Sequence, residues 1–122
     1  PAVRAAACRR LLRAISDQPV CLAGRGRLCT ALVESAPGRV YPKNGAEGIY
    51  AAGIVDPDGG GYGVAIKIED GHQRGYMPVV VDILTQLGLW PEVPPSLEDF
   101  RQVPVLNTQK VLVGCVRSVL AW

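Results

Sequence analysis

Apolar positions recur at helical spacing at the start of the chain, where Val3, Ala7, Leu11, Ala14 and Ile15 share one face and Arg4, Arg9, Arg10 and Arg13 take the others. The pattern predicts a helix over 3–15 that ends before Pro19. Ala23-Gly24-Arg25-Gly26-Arg27 reads as a glycine-punctuated loop, and Leu28, Ala31, Leu32 and Ser35 predict a second short helix stopped by Pro37-Gly38. The period then changes to two. Residues 39–43 and 48–55 read as strands on either side of the tight stretch 44–47, where Gly45 is expected to supply a backbone shape other residues resist. A third strand is expected over 62–69, with Val64, Ile66 and Ile68 alternating against Ala65 and Lys67, and the 56–61 turn joining it to its neighbour. Three sequential strands with short links predict an antiparallel meander. After Asp70-Gly71, the stripe Val79, Val80, Ile83, Leu84 and Leu87 predicts a helix that stops at Gly88 and packs across the meander. Residues 91–95 read as a rigid proline-rich connector, and 111–120 as one more strand. The expected fold class is α+β, an antiparallel sheet meander with packed helices, organised as a single domain.

Composition narrows the function classes. At 48% hydrophobic, 122 residues can bury a core without disulfide or metal staples. Thirteen Lys and Arg against 11 Asp and Glu leave a net charge of +2, short of the basic excess of a dedicated nucleic-acid binder. The arginines at 4, 9, 10 and 13 have no aromatic residues interleaved, so they read as a solvated helix face. Cys8, Cys21, Cys29 and Cys115 form no CxxC or CxxH spacing, and His72 is the only histidine, so no metal site is expected in this chain. Scattered thiols read as reduced cysteines of a cytoplasmic protein. The longest apolar runs, 77–81 and 111–116, fall far below the ~20 residues of a membrane-spanning helix, and no membrane partner is expected.

The most specific sequence is Tyr41-Pro42-Lys43-Asn44-Gly45-Ala46-Glu47-Gly48, followed by Gly63-Val64-Ala65-Ile66-Lys67-Ile68-Glu69-Asp70-Gly71. Gly24-Arg25-Gly26-Arg27-Leu28-Cys29-Thr30 precedes them and Pro104-Val105-Leu106-Asn107-Thr108 follows. In this order, the four motifs resemble the asparaginase II family of the rhizobial type, over most of the chain. That resemblance implies the carboxy-terminal part of a fold similar to the serine β-lactamases and penicillin-binding proteins, in which a Lys-Thr-Gly triplet edges the active site. Lys43-Asn44-Gly45 stands at the corresponding place, with Asn for Thr. On the residues alone Lys43 reads as a solvated lysine at a strand end; the resemblance makes it a catalytic candidate, the basic or electrostatic partner that a hydroxyl nucleophile requires. Asn44 and Gly45 are then substrate-binding candidates, the glycine letting the strand edge approach substrate and exposed N–H groups holding an oxyanion. Glu47 reads either as a loop carboxylate or as a residue that orients Lys43 beside the substrate. Arg25 and Arg27 suit an α-carboxylate through bidentate geometry, or a structural ion pair to Glu34. Lys67, Asp70 and Arg74 are expected to shape the third strand and its turn, and His72 to be solvated.

A Ser-x-x-Lys nucleophile needs hydroxyl and amine on one helical face. None of Ser16, Ser35, Ser96, Ser118, Thr30, Thr85 and Thr108 has a lysine three positions later. The Cys-Ser-Gly-Lys and Asp-Gly-Cys segments that the resemblance implies as a zinc source upstream are also not in this sequence, so no cofactor is expected here. The chain opens at Pro1 straight into a helical pattern, which reads as a cut end. The expected function is hydrolysis of L-asparagine to aspartate and ammonia by an enzyme of which this chain is the carboxy-terminal portion, inactive alone, with a homodimer implied for the full-length protein. The alternative is a non-catalytic binding or scaffolding domain of the same family. Glutamine is not separated from asparagine, because one methylene is worth only ~1–3 kcal/mol in a pocket.

Overall fold

A computed structural model describes the backbone of residues 2–120 and the side chains of residues 4–120. The side chain of Val3, part of the expected first stripe, lies outside the described residues. Elements follow the order α1 (Ala2–Asp17), α2 (Val20–Ala23), α3 (Leu28–Ser35), β1 (Val40–Asn44), β2 (Ile49–Val55), β3 (Gly61–Lys67) and α4 (Gln73–Gln86). A 3-10 turn (Pro95–Leu97), α5 (Glu98–Arg101), β4 (Gln102–Leu106) and β5 (Leu112–Arg117) complete the chain. The class is α+β with antiparallel sheets. β1, β2 and β3 form one sheet in sequential order, and β4 pairs with β5 in another. The backbone gathers into two compact units, one running to Lys43 and including Ala51–Val64, the other comprising Asn44–Tyr50 and everything from Ala65 onward.

In the first unit the buried residues include Leu28, Cys29, Thr30, Leu32, Val33, Ala36, Val40, Pro42, Ala52 and Ile54. α3 supplies the 28, 29, 32, 33 stripe expected of a helix with one inward face. On β2, Ala52 and Ile54 point inward while Ala51 and Val55 point out, the alternation that a pleated strand imposes. The peptide N–H of Val55 donates to the Arg39 carbonyl at 2.8 Å, extending the β1–β2 pairing. At the hairpin to β3, Asp56 N–H donates to the Gly60 carbonyl at 2.9 Å, and a Cβ at Gly61 would overlap the Ile54 carbonyl oxygen. The first helix differs from expectation in packing: Leu11 is 66% exposed, Ala7 and Ala14 are exposed and Ile15 is half-buried. Its apolar face lines an open groove with Gln18, Cys21 and Leu22.

In the second unit the buried side chains are Tyr50, Tyr76, Pro78, Val80, Val81, Leu84, Leu89, Trp90 and Leu97. The inward stripe of α4 is Tyr76, Val80 and Leu84 with Val81, so Val79, Ile83 and Leu87 are only half-buried and the expected stripe is rotated. The expected stripe opens at Val79, whereas α4 begins at Gln73, soon after Asp70-Gly71, and continues through Pro78. A proline there forfeits the N–H bond to the carbonyl of Arg74, and its own burial offsets the loss. The Tyr50 and Tyr76 rings meet at 4.9 Å, and Gly75 leaves room for Ile68, whose Cγ2 would lie 2.7 Å from an added Cβ. α4 thereby meets Tyr50 of β2 and Ile68 just beyond β3, and it packs more extensively on α5, β5 and β4.

The proline-rich connector continues into the 3-10 turn and α5, neither of which periodicity announces. The expected elements include no strand over 102–106, and β4, which contains Pro104, is an addition. The proline is tolerated because both strands of a two-stranded sheet are edges. Val103 faces Val116 and Pro104 faces Cys115, with a register shift between Val105 and Leu106. The hairpin carries exposed apolar side chains, among them Leu106, Val111, Leu112 and Val113.

Candidate functional site

Two glycine-marked segments carry the residues the sequence singled out. In the first unit, Pro19-Val20 turns the chain out of α1 and the 24–27 loop turns it into α3. Gly24 and Gly26 adopt φ of 95° and 69°, a region that penalises residues with a Cβ. Thr30, 2% exposed, donates its hydroxyl to the Gly24 carbonyl at 2.7 Å and lies 3.3 Å from the Pro19 carbonyl. One buried hydroxyl therefore ties the first residue of the loop to α3, lies close to the carbonyl that precedes α2, and is satisfied by doing so. This disposes of Thr30 as a nucleophile. Arg25 and Arg27 are exposed, and among the described residues no ion pair joins either to Glu34.

Lys43 lies on β1 on the face opposite Val40 and Pro42 and is exposed. Asn44, the last residue of β1, begins the second unit and is half-buried. The turn that follows closes through Gly45 N–H to the Ile49 carbonyl at 2.8 Å and Ile49 N–H to the Ala46 carbonyl at 3.2 Å. Gly45 does not carry the unusual backbone shape expected of it. The positive φ values fall on Glu47 (53°) and Gly48 (71°), and Gly45 is needed because a Cβ there would sit 3.2 Å from the Ile49 Cβ. The Gly45 N–H is already spent within the turn and is no oxyanion donor. The N–H groups of Ala46 and Glu47 have no acceptor among the described residues.

The Glu47 carboxylate is exposed, and its backbone is the part that is held. Lys67 Nζ donates to the Glu47 carbonyl and to the Ile68 carbonyl, each at 2.7 Å. Ile68 N–H donates to the Gly48 carbonyl at 3.0 Å. At buried Gly48 a Cβ would stand 3.0 Å from the Gly71 backbone and from the Ile68 Cβ, so two glycine-bearing turns cross where no side chain fits. Beyond Gly71, Asp70 accepts from His72 N–H at 2.8 Å and from Arg74 Nη2 at 2.8 Å. His72 is more than solvated: its Nδ1 accepts from Arg74 N–H at 3.1 Å and caps α4. Sequence reasoning assigned Lys67, Asp70 and Arg74 to this turn, and they are found there; the clamp on Glu47, 20 positions away, left no local signal.

Among the described residues no three His, Cys, Asp or Glu side chains gather as metal ligands. These residues do not fit a zinc site. Among the described residues no helix is long and apolar enough to cross a membrane.

No curated protein matches the sequence. A family model described as L-asparaginase II matches residues 1–118, so that both segments and the β4–β5 hairpin lie within the match. The chain belongs to the L-asparaginase II family.

Proposed function

We propose that this chain forms part of an enzyme that hydrolyses the side-chain amide of L-asparagine, and that the 43–48 segment supplies part of its active site. The observation that carries this reading is the family match over nearly the whole chain. In the proposed mechanism a serine hydroxyl attacks the amide carbon, ammonia leaves as the acyl-enzyme forms, and water then releases aspartate. No hydroxyl of this sequence has the Ser-x-x-Lys spacing, so the attacking serine comes from elsewhere in the enzyme.

Lys43 is the residue proposed to stabilise the reacting hydroxyl or relay its proton; its exposure on β1 leaves it accessible to a substrate. The oxyanion of the tetrahedral intermediate is assigned to the Ala46 and Glu47 N–H groups, which have no acceptor among the described residues. The test is ammonia and aspartate release from L-asparagine, with L-glutamine and D-asparagine as comparisons. Release from L-asparagine alone supports the reading, and no release from any of the three, with asparagine bound, favours a binding domain instead.

A further inference from the structure

We infer that Lys67 is a positioning residue of the 43–48 segment: its ammonium holds the carbonyl of left-handed Glu47 and with it the conformation of the turn that presents the Ala46 and Glu47 N–H groups. The catalytic consequence rests on the oxyanion assignment above; the mechanical one does not.

Three observations converge on this. Glu47 adopts φ 53°, a conformation that costs a residue with a Cβ about 1–2 kcal/mol. It persists only where its surroundings hold it. The Glu47 side chain provides no such hold, since it is exposed and, among the described residues, accepts no hydrogen bond. The hold comes instead from the carbonyl, which receives the Lys67 ammonium at 2.7 Å. The same ammonium bonds the Ile68 carbonyl at 2.7 Å, which also accepts Gly71 N–H at 3.1 Å. One cation thus ties the 44–48 turn to the turn that ends in Gly71. Finally, Ile68 N–H to the Gly48 carbonyl fixes the neighbouring peptide at 3.0 Å, and the crossing of Gly48 with Gly71 excludes side chains that would prop the turns apart. The Glu47 carbonyl belongs to the peptide that joins Glu47 to Gly48, so losing its bond to Lys67 releases that peptide and lets the left-handed Glu47 relax, which changes the course of the turn that carries the Ala46 and Glu47 N–H groups. Lys67 is exposed, so water competes for its ammonium; two carbonyls converging on one charge make the site specific where a single surface contact would not be.

The test is amide hydrogen exchange followed residue by residue in the intact protein, for Lys67→Met and Lys67→Arg. Methionine keeps an unbranched apolar chain without donors; arginine keeps charge and donors. In Lys67→Met, exchange at Ile49 and Ile68 is expected to quicken about tenfold or more, while Leu87, bonded to the Ile83 carbonyl in α4, stays unchanged. Lys67→Arg is expected to restore most of the protection. Equal acceleration at Leu87 would make Lys67 a general stability residue and overturn the inference, as would unchanged exchange at Ile49 and Ile68. Should Lys67→Met fail to fold, wild-type protection in Lys67→Arg supports the clamp and tenfold loss in that variant overturns it. Where the wild type hydrolyses asparagine, Lys67→Met is expected to lower kcat with KM nearly unchanged and Lys67→Arg to recover it; an unaltered kcat overturns the catalytic consequence. A wild type without activity sinks the proposed function and leaves the exchange result to judge Lys67.

Discussion

The 24–27 loop and the 44–48 turn are built from the same kinds of residue, glycines at positive φ beside charged side chains, yet they are held in different ways. Thr30 holds the first from inside: a buried neutral hydroxyl accepts no competition from water and reaches carbonyls 6 and 11 positions away. The second is held from outside, by the Lys67 ammonium reaching back 20 positions to Glu47 and by a glycine crossing that tolerates no Cβ. Arg25 and Arg27 can therefore change without disturbing their loop, whereas the residues around Lys43 share a framework with a distant strand. A loop anchored by a local buried bond is robust to surface chemistry; a turn anchored by a remote charge is coupled to it.

The contrast can be broken at several points. Lys43→Ala should lower kcat about 10²–10⁴-fold in an enzyme that hydrolyses asparagine, with the fold retained by circular dichroism; unchanged turnover would remove Lys43 from the mechanism. Gly48→Ala should cost about 2–4 kcal/mol of stability, from its φ and from the contact with Gly71, when followed by denaturant unfolding. A loss below about 1 kcal/mol would mean the two turns separate easily. Thr30→Val, nearly isosteric, should cost about 1–2 kcal/mol by leaving the Gly24 carbonyl without the Thr30 hydroxyl, and increased protease cleavage at Arg25 or Arg27 would report the loosened loop. The smallest expected effect on stability is that of Arg25→Ala and Arg27→Ala, within about 0.5 kcal/mol. If either binds the α-carboxylate, its loss should raise KM for asparagine about tenfold with kcat retained; an unchanged KM for both would leave the loop with no part in substrate binding.

Much of the fold was legible because it follows short-range periodicity. α3 spans the predicted segment and stops before Pro37-Gly38, although its inward face is Leu28, Cys29, Leu32 and Val33, so the expected Ala31 and Ser35 are only half-buried. β3 alternates as read, with Val64, Ile66 and Ile68 half-buried and Ala65 and Lys67 exposed. Where local rules misled, a tertiary contact had overridden them. Pro78 enters a helix because burial offsets a lost hydrogen bond, and Pro104 enters a strand because its sheet has no interior position. The apolar side of α1 has the right period and remains exposed, since periodicity states which face is apolar and is silent on what covers it. The candidate site was legible in part: Lys43 through Glu47 were singled out together, while the role expected of Gly45 belongs to Glu47 and Gly48.

The sequence by itself determined the family, the α+β class and the segments that hold the candidate residues, because motif order and periods of two and 3.6 are written along the chain. Tertiary structure alone decided which N–H groups the 44–48 turn leaves open and which side chain holds it. Those depend on groups far apart in sequence arriving within hydrogen-bond distance, and no local pattern of residues encodes the meeting of Lys67 with Glu47.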